Sequence, residues 1–287
     1  MLARVLRHAG LLALVLVLGG FLAATLVRLS PGFDADEGEL DSRLSGPSQA
    51  ALRQARKGEA RLGVYYLDYW KGAVRGDLGR SRTFGRPVSE LLRERGAVTL
   101  QLVSYGLLLA WGMALLAAFP AALARGPAAD LLLSWTSGAI LTLPAALLAF
   151  GFLYLGIPVY WCMAVVLYPR VFRFLRNLLL EARAMPHVLA ARARGIREIT
   201  VLGRHILPQV RPQAIALAGT SVALALAADV PVEVLSDVPG VGQLAWQAAT
   251  GRDMPLLVSL TLVLAAVILL ANAVSDVAVA HLERRRA

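Results

Sequence analysis

Apolar residues in this chain fall in long, nearly unbroken runs, and the charged residues are bunched in the gaps between them. Each run approaches the roughly 20 residues that cross a hydrocarbon core as a helix. Six of them predict six membrane-spanning helices, over residues 9–27, 97–123, 131–155, 159–180, 215–230 and 255–280. Arg4, Arg7 and His8 precede the first run, Arg125 follows the second, and Arg284, Arg285 and Arg286 follow the last. Basic residues favour the cytoplasmic side, so both termini are expected inside. A cleaved signal peptide is the alternative for the first run, but its apolar core normally covers only about 7–15 residues. The second and third spans are rich in Ala and Gly, which let helices approach closely in a bilayer. Pro120 and Pro144 are expected within continuous helices, neighbours satisfying the carbonyls they free.

The polar gaps divide the chain into an N-terminal flank with the first span (1–29), an extracytoplasmic segment (30–96) and a membrane domain (97–287). In the second of these, Asp34, Asp36, Glu37, Glu39 and Asp41 form an acidic run. A calcium loop beginning at Asp34 requires glycine where Glu39 stands and glutamate where Ser45 stands. A solvated stretch is expected instead. Ser48 suits the N-cap of a surface helix ending near Arg61. From Tyr65 onward aromatic and charged residues mix at helical spacing, which predicts a helix lying along the outer membrane boundary.

The fourth span brings Arg170, Arg173 and Arg176, three apart, to one face of its inner end, where a partner or lipid headgroups are expected to meet them. Between the fifth and sixth spans an outer connection carries Glu233, Asp237, a turn at Pro239 and Gly240, Gly242, and a short amphipathic helix to Thr250. Asp229, near the outer end of the fifth span, is either a functional carboxylate at membrane depth or a residue already in water.

One cytoplasmic stretch, His187 to Pro208 within the loop 185–211, differs from the other gaps. Two helix-compatible runs flank Gly195, which permits the positive φ of a sharp turn. Arg192, Arg194, Arg197, Arg204 and, just past it, Arg211 are opposed only by Glu198. Ala190, Ala191 and Ala193 are small enough to admit a partner's backbone, and Pro208 and Pro212 mark the start of the next span. The stretch reads as a helix, a turn and a second helix, either a docking elbow or a solvated basic loop.

Composition narrows the function. At 57% hydrophobic residues and a mean hydropathy of +0.63, the chain is a polytopic membrane protein. Its net charge of +10 comes from arginines beside apolar runs, which orientation in the membrane explains without nucleic acid. Cys162, the single cysteine, excludes an internal disulfide and a cysteine-based metal site. The four histidines lack carboxylate partners at ligand spacing, so no metal is expected. The sequence has no phosphate-binding G-x-x-x-x-G-K-[ST], no G-x-S-x-G and no H-E-x-x-H. Ionisable residues within the spans are few, whereas a proton-coupled carrier usually keeps a chain of them at the midplane. The chain is therefore expected to be no enzyme, with no catalytic residue and no cofactor of its own, and to draw any work from a subunit docked on its cytoplasmic face.

The cytoplasmic stretch resembles the EAA loop of ABC importer permeases, a pattern of E-A-A, three residues, G, nine residues and I-x-L-P. Ala190, Ala191, Gly195, Leu207 and Pro208 occupy matching positions. Arg75 to Arg95, Val232 to Leu244 with Gly251 to Pro255, and Asn272 with Asp276 resemble the dipeptide, oligopeptide and nickel branch, in its first permease subunit. Arg173, Arg176, Leu180 and Glu181 fit the same branch. The resemblance extends from about Tyr66 to the C-terminus.

It implies an all-α membrane protein of the type I ABC importer permease kind, in a bacterial inner membrane. Its partners would be a second permease, two ATPase subunits holding ATP and magnesium, and an extracytoplasmic solute-binding protein. Ala190, Ala191, Arg192, Arg194, Gly195, Arg197, Leu207 and Pro208 would couple to the ATPase. Asp229, Glu233, Asp237, Pro239, Gly240 and Gly242 would line the solute path or meet the binding protein, as would residues 76–86. The cargo would be a peptide or a related small solute, or nickel. A self-sufficient carrier or channel and a non-transporting scaffold are the alternatives. The sequence departs from the pattern at Leu189 and His205, where glutamate and isoleucine stand in the family, and in a third-to-fourth connection reduced to Gly156, Ile157 and Pro158.

Overall fold

A computed structural model of the chain describes residues 17–22, 25–26, 62–123 and 127–284, together with positions 10 and 14. Parts of the expected first span, the acidic run at 34–41, the helix expected from Ser48 to Arg61, and Arg285 and Arg286 lie outside the described residues. The described chain is helical: α1 (Leu62–Val74), α2 (Val88–Leu123), α3 (Pro127–Thr142), α4 (Ala145–Tyr154), α5 (Val159–Arg183), α6 (Pro186–Ala193), α7 (Glu198–Val201), a π-turn (Leu202–Ile206), α8 (Leu207–Leu235), α9 (Val241–Thr250) and α10 (Met254–Arg284). Among the described residues the sole β-pairing is an isolated bridge between Arg80 and Pro87.

Among the described residues three single helical stretches are long and apolar enough to cross a membrane: Val88–Pro120, Glu198–Leu235 and Met254–Arg284. At 1.5 Å per residue the shortest of them extends over more than 45 Å, beyond a hydrocarbon core of about 30 Å. Their ends therefore reach water. This is why α2 begins nine residues before the apolar run and carries Arg93, Glu94 and Arg95 in its opening turns.

The third expected span is not one continuous helix. α3 and α4 meet at 97°, with the break at Leu143 and Pro144. Pro144 has no N–H and its ring excludes the carbonyl four residues back, while Leu143 before it is disfavoured in helical conformation. The chain closes α3 with a tight Leu143 N–H to Ile140 carbonyl bond (3.1 Å) and restarts with Leu147 and Leu148 donating to the Pro144 carbonyl. Pro120 stays within α2, as expected. The fifth span differs in the opposite sense: Pro231 does not end it, and α8 continues to Leu235.

The structure divides into two compact units, residues 1–97 with 244–266 and residues 98–243 with 267–287. In the first, Tyr66 and Tyr69 of α1 are buried against Met254, Val258 and Leu262. The Tyr69 and Ser259 hydroxyls share a 2.9 Å hydrogen bond, and Tyr66 donates to the Val17 carbonyl at 2.5 Å. Burial raises the Tyr69 phenol above its ordinary pKa, keeping it a neutral hydroxyl. Tyr66 and Tyr69 of α1, a helix expected along the membrane boundary, are packed on protein.

In the second unit α5 packs against α3, α4 and α8. Small residues of α2 join the same core: Ala110, Ala114 and Ala118 are fully buried among side chains of α5. A Cβ added at Gly106 would fall 2.8 Å from Cβ of Met163, and one at Gly219 would fall 2.8 Å from Cβ of Ser275. Backbones this close gain dispersion contacts that larger side chains would forbid, the main attraction between helices where the solvent is itself apolar.

Candidate functional site

The basic elbow is a helix, a turn and a helix. Pro186 stands in the first turn of α6, where its missing N–H removes no helical bond. The helix ends at Arg194 and Gly195, the latter at φ +73°. Gly195 N–H donates to the Arg192 carbonyl (2.9 Å) and Ile196 N–H to that of Ala191 (3.3 Å). α7 then continues through the π-turn into α8, so the second arm of the elbow and the span form one helical stretch, Glu198–Leu235.

Val188, Ala191, Val201 and Ile206 point inward and join a core with Phe172, Leu175 and Leu179 of α5. Ala190, Ala193, Arg194, Gly195 and Arg197 are exposed, as are Leu189 (52%) and Ile199 (74%). Two of the residues expected to meet a partner are already occupied. Ala191 is turned into the core, and Arg192 pairs with Glu198 at 3.0 Å. Leu207 and Pro208 are half-buried at the start of α8.

Of the three arginines expected on a partner or lipid face, Arg176 is bound within the chain by both its Nε and Nη2 to Asp130 of α3. Arg170 and Arg173 are both exposed, and Arg170 also borders a cavity.

The connection from α8 to α9 is a clasp built around Glu233, whose side chain is completely buried. Its Oε1 accepts from Thr99 Oγ1 of α2 (2.5 Å) and its Oε2 from the Gln243 N–H (3.0 Å). Thr99 Oγ1 in turn accepts from the Val241 N–H (2.7 Å), so the hydroxyl proton has to go to Glu233. Gly240 lies against the carboxyl group with no room for a side chain, and a Cβ at Gly242 would fall 2.8 Å from Cα of Val230. Asp237, at φ +50°, accepts from Gln243 Nε2 (2.9 Å); it is exposed, as is Pro239. Asp229 is 2% exposed, and its Oδ1 has no hydrogen-bond partner. Glu233 and Asp229, expected toward the solute path, are thus enclosed by protein.

A second clasp joins the two other segments on which the resemblance rested. Asp253 Oδ2 accepts from Ser81 Oγ (2.5 Å) and Thr83 N–H (3.0 Å), while its Oδ1 caps α10 through Leu256 N–H (3.2 Å). Gly76, Gly79 and Gly85 all adopt positive φ in the loop that delivers these donors. The Thr99 and Asp253 roles went unread in the sequence, since each partner lies more than 130 residues away.

Three helices long and apolar enough to cross a bilayer make this a multi-pass membrane protein, with a basic elbow and two clasped polar connections between the helices. Residues 112–287 match the family described as binding-protein-dependent transport system inner membrane component, and the chain belongs to that family. It is similar to a putative peptide permease protein of Brucella ovis, 28% identical over 308 aligned residues covering 95% of this chain and 96% of the relative. It is also similar to a dipeptide transport system permease protein of Lactococcus lactis subsp. cremoris, 23% identical with 99% of each chain covered. An oligopeptide transport system permease protein of Bacillus subtilis is 27% identical over 113 residues, 39% of this chain and 36% of the relative. The family's role is that of a transport permease, itself not catalytic.

Proposed function

We propose that this chain is one permease subunit of an ATP-driven ABC importer, that it forms half of the path for a peptide or related small solute, and that it receives work from ATPase subunits through the elbow 187–208. The observation that carries the coupling role is the outer surface of the elbow. Leu189 and Ile199 present apolar side chains to solvent beside small alanines and the cations Arg194 and Arg197. An apolar anchor ringed by charge is the usual anatomy of a protein contact. Because α7 is continuous with α8, a push on the elbow acts on a membrane helix as a rigid body. The peptide cargo is supported by the three relatives above, all named for peptide transport. ATP and magnesium belong to the partner ATPases, a binding protein delivers solute outside, and both termini lie in the cytoplasm.

The test is Ile199→Asp in the co-expressed complex. A carboxylate at the centre of the elbow's apolar surface is expected to reduce ATPase co-purified with the permease at least tenfold, leaving permease in the membrane unchanged. Undiminished co-purification would remove the elbow from the interface.

A further inference from the structure

α5 carries a cation that nothing in the described chain neutralises. Arg170 is the twelfth of its 25 residues, and among the described residues it has no hydrogen bond or ion pair, whereas Arg176, two turns on, is held by Asp130. Its side chain is exposed, so the guanidinium is open to an anionic ligand. Arg170 borders a cavity of about 230 Å³ at the bend between α3 and α4, otherwise walled by apolar residues that include Leu143, Leu148, Val166 and Leu224. Ala227 and Pro231 of α8 complete the wall. Pro231 has no N–H, so the Ala227 carbonyl four residues earlier lacks its helical donor and remains an acceptor.

We propose that this cavity binds the C-terminal residue of the transported peptide, its free carboxylate on Arg170 and its side chain among Leu148, Val166 and Leu224. The site rests on the peptide-import reading given above. A guanidinium engages a carboxylate through two parallel hydrogen bonds. The size also fits: pockets for whole ligands measure about 300–1,000 Å³, so this one takes a single residue. The Ala227 carbonyl offers an acceptor to that residue's N–H. The site selects for a free acid terminus and an aliphatic last side chain, and against amidated or acidic ends.

The experiment uses the complete importer with its binding protein in proteoliposomes, supplied with leucyl-leucine or its C-terminal amide at concentrations where the wild type transports both. Arg170→Gln is expected to lower uptake of the acid about tenfold and to change uptake of the amide less than twofold. Arg170→Lys, which keeps the charge but not the fork, retains the acid within about threefold of wild type. Equal losses for acid and amide would overturn the site, because Arg170 would then serve the fold or an acidic group on the second permease. Unchanged uptake of both would overturn it as well. A wild-type complex that moves neither compound would instead overturn the peptide-import reading beneath it.

Discussion

Gly195→Val is expected to cut peptide uptake by the assembled transporter at least tenfold while ATP hydrolysis continues. The reason is conformational and not steric. Gly195 sits at φ +73°, and nothing lies within 4 Å of a Cβ added there. A β-branched residue in the left-handed region costs about 1–3 kcal/mol, and every 1.4 kcal/mol is about a tenfold change in an equilibrium. The turn would relax, rotating α6 against α7 and moving Arg194 and Arg197 off their places, with the Val188 and Val201 core left in place. Asparagine tolerates this region best among side-chain residues, so activity is expected in the order Gly, Asn, Ala, Val. Measuring uptake and ATPase rate side by side checks this. Full uptake by the valine variant would mean that the turn geometry does not carry the coupling.

The second large effect is expected at Glu233. Its two oxygens accept from two donors, the Thr99 hydroxyl and the Gln243 N–H, in a site with no solvent. Alanine would strand both donors, each at about 1–3 kcal/mol, and leave a cavity beside Gly240. Glutamine keeps the volume but replaces one acceptor by an NH₂ group that must face a donor. Both variants are expected to lower the melting temperature in detergent and to abolish uptake, alanine more than glutamine. Aspartate is expected to fall short of Thr99 and to behave as alanine does. A glutamine variant with wild-type melting and uptake would show that Glu233 needs no second acceptor.

These two residues illustrate what local sequence encodes. Gly195 between two helical runs announces a turn, and the structure has one. The long apolar runs announce membrane helices, and the proline at 208 marks the start of α8. Glu233 and Gly240 are legible as part of an outer turn, but the reason glycine is required, a carboxyl group pressed against its Cα, depends on how the chain folds back. Thr99, 134 residues from Glu233, gives no local sign of its partner. Asp130 and Arg176 lie in separate segments, each readable as an ordinary end-of-span charge, and their pairing follows only from the packing of α3 on α5. Pro144 and Pro231 have the same chemistry and opposite outcomes. One breaks the helix by 97° and the other stays within it, because surrounding packing decides whether a freed carbonyl is tolerated.

The account stands or falls on where the energy for transport enters. The most direct measurement is accumulation of labelled dipeptide in proteoliposomes, comparing the whole complex given ATP with this chain alone under a proton or sodium gradient. Accumulation by the complex that requires ATP, with none by the chain alone, is the expected result. Uphill uptake by the isolated chain, driven by an ion gradient and indifferent to ATP, would contradict it.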